Sequence, residues 1–84
     1  MQIKTIATIG ITEKVETSPE FCKFVISSLD KHFRGDWGEV SEADSVANTS
    51  DPLNALSAYT DPDGVKIWVK QDYNIVTVLF PSEY

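Results

Sequence analysis

The chain has 84 residues, 42% of them hydrophobic and 24% charged, which suits one small folded domain over 1–84 with no separate catalytic lobe. That balance fits neither a disordered tail nor a membrane span. Seven Lys and Arg against thirteen Asp and Glu leave a net charge of −6, the wrong sign for gripping nucleic-acid phosphates directly.

Ile3 to Ile9 is rich in β-branched residues with partial period-two alternation and reads as a first strand, ended or bent by Gly10. Thr17-Ser18-Pro19-Glu20 is a helix start: Thr17 pairs with Glu20 as a capping box, or Ser18 caps with Pro19 at the first helical position. Phe21, Val25 and Leu29 recur every four residues, with Cys22, Ile26 and Phe33 beside them, so this helix lays an apolar stripe on a sheet. Lys31, His32 and Arg34 suit its negative end, and Gly35 suits the left-handed residue that closes it. Gly35-Asp36-Trp37-Gly38 is a tight connector, and Ser41 to Asp44 opens a short second helix over about 42–48.

After Asp51-Pro52 breaks the chain, Leu56 to Thr60 reads as a strand. Asp61-Pro62-Asp63-Gly64 is a turn that returns the next strand antiparallel. In that strand, Val65 to Lys70, the residues Val65, Ile67 and Val69 face the core, and Trp68 stands between Lys66 and Lys70 on the other face. Ile75 to Phe80 is apolar on both faces, as in a central strand, and Pro81 ends it. The expected fold is α+β: a three- to four-stranded antiparallel sheet, one main amphipathic helix packed on one face, and a short second helix. The last three strands form a meander.

Chemical equipment is sparse. The only histidine, His32, lies in the last turn of the main helix beside cations, so a nucleophile–base arrangement is not expected. Cys22 sits on an apolar stripe, where a thiol behaves as a small hydrophobe, and one cysteine makes no internal disulfide, as suits a reducing compartment. Cys and His together number two, too few for structural zinc. Asp61 and Asp63 are the closest carboxylate pair for a hard cation, but the ligand ladder of a calcium loop is missing. No catalytic residue, cofactor or metal is therefore expected. The N-terminal residues lack a secretory leader pattern, which points to the cytoplasm.

Charge layout says more. Residues 1–34 sum to +1 and residues 35–84 to −7, and Asp36, Glu39, Glu42, Asp44, Asp51, Asp61 and Asp63 follow one another with no Lys or Arg between them. If the second helix and the Asp61 turn meet in space, these carboxylates form one negative patch suited to a basic partner. Trp37, in a glycine-flanked loop, reads as a plug at the core edge, and Trp68 as an interface anchor.

In the blocks Gly35 to Glu42 (GDWGEVSE), Leu56 to Tyr59 (LSAY), Gly64 to Val69 (GVKIWV) and Thr77 to Tyr84 (TVLFPSEY), the chain resembles a family of small plasmid-related proteins carried by bacterial mobile elements. Members carry a Thr-Glu-Ala-Asp-Arg-like stretch before the last strand, where this chain reads Val69 to Asn74. The resemblance implies the company of phages and conjugative elements, whose small acidic proteins often inhibit host defences. The expectation is a non-enzymatic, anti-CRISPR-like inhibitor in the cytoplasm of a bacterial host. It would bind a basic nucleic-acid-binding effector through Asp36, Glu39, Glu42, Asp44, Asp61 and Asp63, with Trp68 as anchor. The alternative is an accessory or regulatory module of plasmid or conjugative-element maintenance, binding a protein partner or forming a homodimer through an exposed strand edge.

Overall fold

A computed structural model describes residues 2–84. In chain order the elements are β1 (Lys4–Ala7), α1 (Ile9–Thr17), α2 (Pro19–Phe33), α3 (Glu42–Ser50), β2 (Leu56–Thr60), β3 (Lys66–Asp72) and β4 (Ile75–Leu79), with single 3-10 turns at Pro52–Asn54 and Pro81–Glu83. The strands form one open sheet in the order β1-β4-β3-β2. β2, β3 and β4 are the expected antiparallel meander. β1 pairs with β4 in parallel, Lys4 opposite Ile75 and Ala7 opposite Val78. The α+β class holds, but the sheet is mixed rather than wholly antiparallel. The chain leaves β1 through helices before returning as β4, and such a crossover allows parallel pairing.

α2 forms for the reasons legible in its ends. Ser18 Oγ accepts from the Phe21 N–H at 3.2 Å, and Pro19 occupies the first turn. At the other end Gly35, at φ +82°, lets the Gly35 N–H reach the His32 carbonyl and the Asp36 N–H reach that of Lys31, the paired bonds of a Schellman closure. α3 is capped likewise, Ser41 Oγ accepting from the Asp44 N–H at 3.1 Å. It runs to Ser50, two residues beyond the expected end.

The first strand is the main correction. It spans four residues rather than seven, and Ile9–Thr17 is the helix α1, which the sequence reading had no place for. Gly10 is its second residue rather than a strand bend. Ile11 and Val15, four apart, turn into the core, and Ile11 is fully buried there.

The core lies between the sheet and α1 and α2. Phe21 and Val25 come from α2, Tyr59 from β2, Ile67 and Val69 from β3, and Val76 and Val78 from β4. β2, β3 and β4 turn alternate residues inward while β1, exposed throughout, contributes none, and burial of each large apolar side chain stabilises by about 1.5–3 kcal/mol. Register carries the pattern across the sheet: Tyr59 faces Ile67, and Val69 faces Val78.

The β3–β4 turn carries local strain. Tyr73 sits at φ 56° with an exposed ring, and a left-handed backbone costs a non-glycine residue about 1–2 kcal/mol, least for Asn. Tyr73→Asn is expected to stabilise the fold by about 0.5–1 kcal/mol. The Tyr73 carbonyl, which accepts from Gln71 Nε2 at 2.9 Å, is retained in the variant. A urea midpoint that stays put or falls would show that the phenol makes a contact outweighing the strain.

Candidate functional site

The outer side of β2 is where the acidic stretch comes to rest. Residues 37–39 run parallel to β2 and bridge to it: the Ala58 N–H donates to the Trp37 carbonyl at 3.1 Å, and the Glu39 N–H to the Ala58 carbonyl at 2.7 Å. One turn of strand earlier, Asn48 of α3 imitates a neighbouring backbone. Its Oδ1 accepts from the Leu56 N–H at 3.2 Å, and its Nδ2 donates to the Leu56 carbonyl at 2.9 Å. At the far end the Thr60 hydroxyl donates to Glu39 Oε1 at 3.0 Å. The backbone groups of Leu56 and Ala58 that point away from β3 are thus occupied, and at Thr60 the hydroxyl is engaged by Glu39. β2 is an edge covered over most of its length, which obstructs pairing with another strand.

Closing the edge fixes the carboxylates. Asp36 and Glu39 lie on the bridging segment, Glu42 and Asp44 in the first turn of α3, Asp51 at its C-cap, and Asp61 and Asp63 in the β2–β3 turn. The first five accompany the segments that flank β2, whereas Asp61 and Asp63 border a groove shared with Lys14, Glu20 and Phe21 of the helices; all but the partly buried Asp61 are exposed. Among the described residues one cation pairs with any of them, Lys66 Nζ at 4.0 Å from Glu39 Oε1, an exposed contact contributing at most about 1 kcal/mol. Two of the seven also hold backbone. Asp36 Oδ1 accepts from the Gly38 N–H at 3.2 Å. Asp61 Oδ1 accepts from the N–H groups of Asp63 and Val65, at 2.9 and 2.8 Å, so the Asp61 carboxylate serves the turn itself.

Trp68 is placed differently. It stands half-buried on the helix-free face of the central strand β3, with the Tyr84 ring edge-on at 5.5 Å. It therefore opens onto the sheet face and not onto the acidic edge. Trp37 is a plug: buried, edge-to-face with His32 at 5.4 Å, and donating its indole N–H to Thr49 Oγ1 at 3.1 Å. The Trp37 plug is what carries Asp36 and Glu39 up to β2.

Beneath the plug lies a polar trio that sequence spacing does not reveal. His32 Nε2 is 2.9 Å from Gln71 Oε1, and Nδ1 is 2.5 Å from Ser57 Oγ. Gln71 gives its amide N–H to the Tyr73 carbonyl, so its oxygen faces the ring, which fixes the proton on Nε2 and makes Nδ1 the acceptor of the Ser57 hydroxyl. A serine donating to a histidine is also a nucleophile–base geometry. Ser57 is 0% exposed, however, and a substrate carbonyl has no route to it. The trio ties α2 to β2 and β3. Burial of the ring pushes the His32 pKa below its usual 6.5, with Lys70 adding to the effect against the opposing Gln71 bond.

No helix among the described residues is long and apolar enough to cross a membrane. Comparison with family models, curated proteins and solved structures finds no match, so the geometry of the β2 edge carries the functional reading.

Proposed function

We propose that this protein acts by binding, laying its acidic β2 edge on a basic nucleic-acid-binding surface of a host protein and blocking it. An anti-defence inhibitor of a phage or mobile element is the role this reading favours. The observation that supports it is the row of exposed carboxylates Asp36, Glu39, Glu42, Asp44 and Asp51 on the segments that flank β2, in which Lys66–Glu39 is the one weak ion pair among the described residues. Such an edge offers charge without offering strand pairing, so it favours a partner by field rather than by β-augmentation.

The test is capture from host lysate with the variant Asp36→Asn, Glu39→Gln, Glu42→Gln and Asp44→Asn as comparator. These changes preserve the amide oxygens that can still accept from Gly38 and Thr60, and leave the Ser41 cap untouched. Capture by the wild type should fall steeply in high salt, where the screening length shrinks from about 8 to about 3 Å. The variant should bind at least about tenfold more weakly. Recovery of the same partners by both proteins, at both salt concentrations, would remove the acidic-edge reading.

A further inference from the structure

The opposite edge of the sheet is built in the contrary way. The Lys4 N–H donates to Asn74 and the Thr8 N–H to Val78, so in the parallel ladder Lys4, Ile6 and Thr8 turn their backbone groups toward β4, and Ile3, Thr5 and Ala7 turn theirs outward. Among the described residues, no strand or side chain takes up those outward groups. β1 is exposed at all four positions, contains no proline or bulge, and is bordered by exposed Ile3, Ile9 and Ile75. Short as it is and with Lys4 at its start, this open, partly apolar edge offers its outward N–H and C=O groups as a template for another strand.

We infer that the occupant is a second copy of this chain, joined through a two-fold antiparallel β1–β1 pairing centred on Thr5 into one eight-stranded sheet. Backbone geometry selects the centre. With Thr5 opposite Thr5 of the second copy, and Ile3 opposite Ala7, every outward N–H and C=O of these residues meets a partner. The same register sets Lys4 of each copy against Ile6 of the other, so the two lysines never face one another and the lysine stem covers an isoleucine that is 42% exposed in the single chain.

Charge argues for the same occupant. The carboxylates that give the chain its −6 lie along β2, at the far end of the strand order. An eight-stranded sheet joined at β1 would hold the two acidic edges about 34 Å apart, seven strand spacings of about 4.8 Å, several times the screening length of about 8 Å. A partner approaching β1 meets the near-neutral end of the molecule, which is where two copies of an acidic chain associate with least repulsion. The pairing is independent of what the acidic edge binds.

Sedimentation across a dilution series reads the result directly. The wild type should approach twice 9.4 kDa, about 19 kDa, as it is concentrated, because an isologous edge closes at two copies. Thr5→Pro removes only an outward N–H and is tolerated on an edge strand; it should sediment as a monomer. Ile6→Lys sets like charges opposite in the proposed register and should do the same, and adding Lys4→Glu to it should restore the dimer. Circular dichroism confirms that each variant is folded, and Ile6→Lys, at an exposed side chain, keeps the test decisive if Thr5→Pro does not fold. A wild type that stays monomeric throughout, one that grows beyond two copies, or a dimer indifferent to Ile6→Lys would each overturn the inference.

Discussion

Gly38→Ala is expected to destabilise the protein by about 3 kcal/mol, the sum of a left-handed backbone and an overpacked contact. Gly38 lies at φ +73°, and a Cβ there would drive into the Ala58 carbonyl oxygen and come within 2.7 Å of the Tyr59 ring. Both obstacles are rigid, one a backbone atom of β2 and the other a ring whose hydroxyl donates to the Asp36 carbonyl at 2.5 Å. Relief requires the bridging segment to lift away, breaking the Ala58–Trp37 and Glu39–Ala58 bonds together. Gly64→Ala separates the two causes: it shares the positive φ, at +85°, with nothing within 4 Å of the added carbon, so it should cost only about 1–2 kcal/mol. Urea midpoints rank the variants, and fast hydrogen exchange at the Ala58 and Glu39 amides should appear in Gly38→Ala alone. Equal midpoints for the two alanine variants would mean the segment yields easily, and would also weaken the case for an edge that holds its carboxylates in place.

How much of this could be read from residues alone depends on how local each cause is. α2 was legible because Ser18, Pro19 and Gly35 carry its ends within a few positions of the helix itself. The three-stranded meander was legible because the Asp61 turn and the alternation of Val65 to Lys70 are local too; its expected strand bounds fall within two residues of those observed. α1 was not, because the carboxylate at its N-terminus belongs to Glu83. Oε1 of Glu83 accepts from the Thr8 hydroxyl at 2.6 Å and from the Phe80 N–H at 2.9 Å, and Oε2 from the Gly10 N–H at 3.1 Å. These bonds, that from Thr8 foremost, hold its carboxyl below the ordinary range. A helix with Gly10 near its start, β-branched residues in its first turn and its capping anion 73 residues away offers little local signal.

The candidate site divides in the same way. The stretch from Asp36 to Asp63 without a Lys or Arg is visible in the sequence, but the placing of its first part beside β2 follows from the bridge of residues 37–39 to Ala58, which no local pattern announces. The roles of Asn48 as a stand-in backbone and of Gly38 as the residue that permits the bridge appear only when Leu56 and Ala58 are next to them. Trp68 shows the limit of alternation: the sequence put it correctly on the lysine-bearing face, and could not foresee that Tyr84 would lean on it.

The trio beneath Trp37 makes stability depend on pH in a window set by His32. Its folded pKa lies below the unfolded 6.5 because the cation would lose hydration in the interior and sit near Lys70. Above pH 6.5 the ring is neutral in both states, and the full contribution is present. As pH falls below 6.5 the unfolded chain takes up the proton first, and the contribution is lost progressively toward the folded pKa, with a slope approaching about 1.4 kcal/mol per pH unit. Protonation would also put a second N–H on the ring facing Ser57, displacing the hydroxyl proton that Nδ1 now accepts. His32→Leu should remove this slope and, by leaving Ser57 and Gln71 Oε1 unsatisfied, cost about 3 kcal/mol at neutral pH. Urea unfolding of wild type and variant between pH 5 and 7.5 gives both quantities, and the imidazole proton shift of His32 gives the folded pKa independently. Wild-type and His32→Leu stabilities that run parallel through that range would show that the ring is solvated when charged, and that the bonds to Ser57 and Gln71 do not confine it.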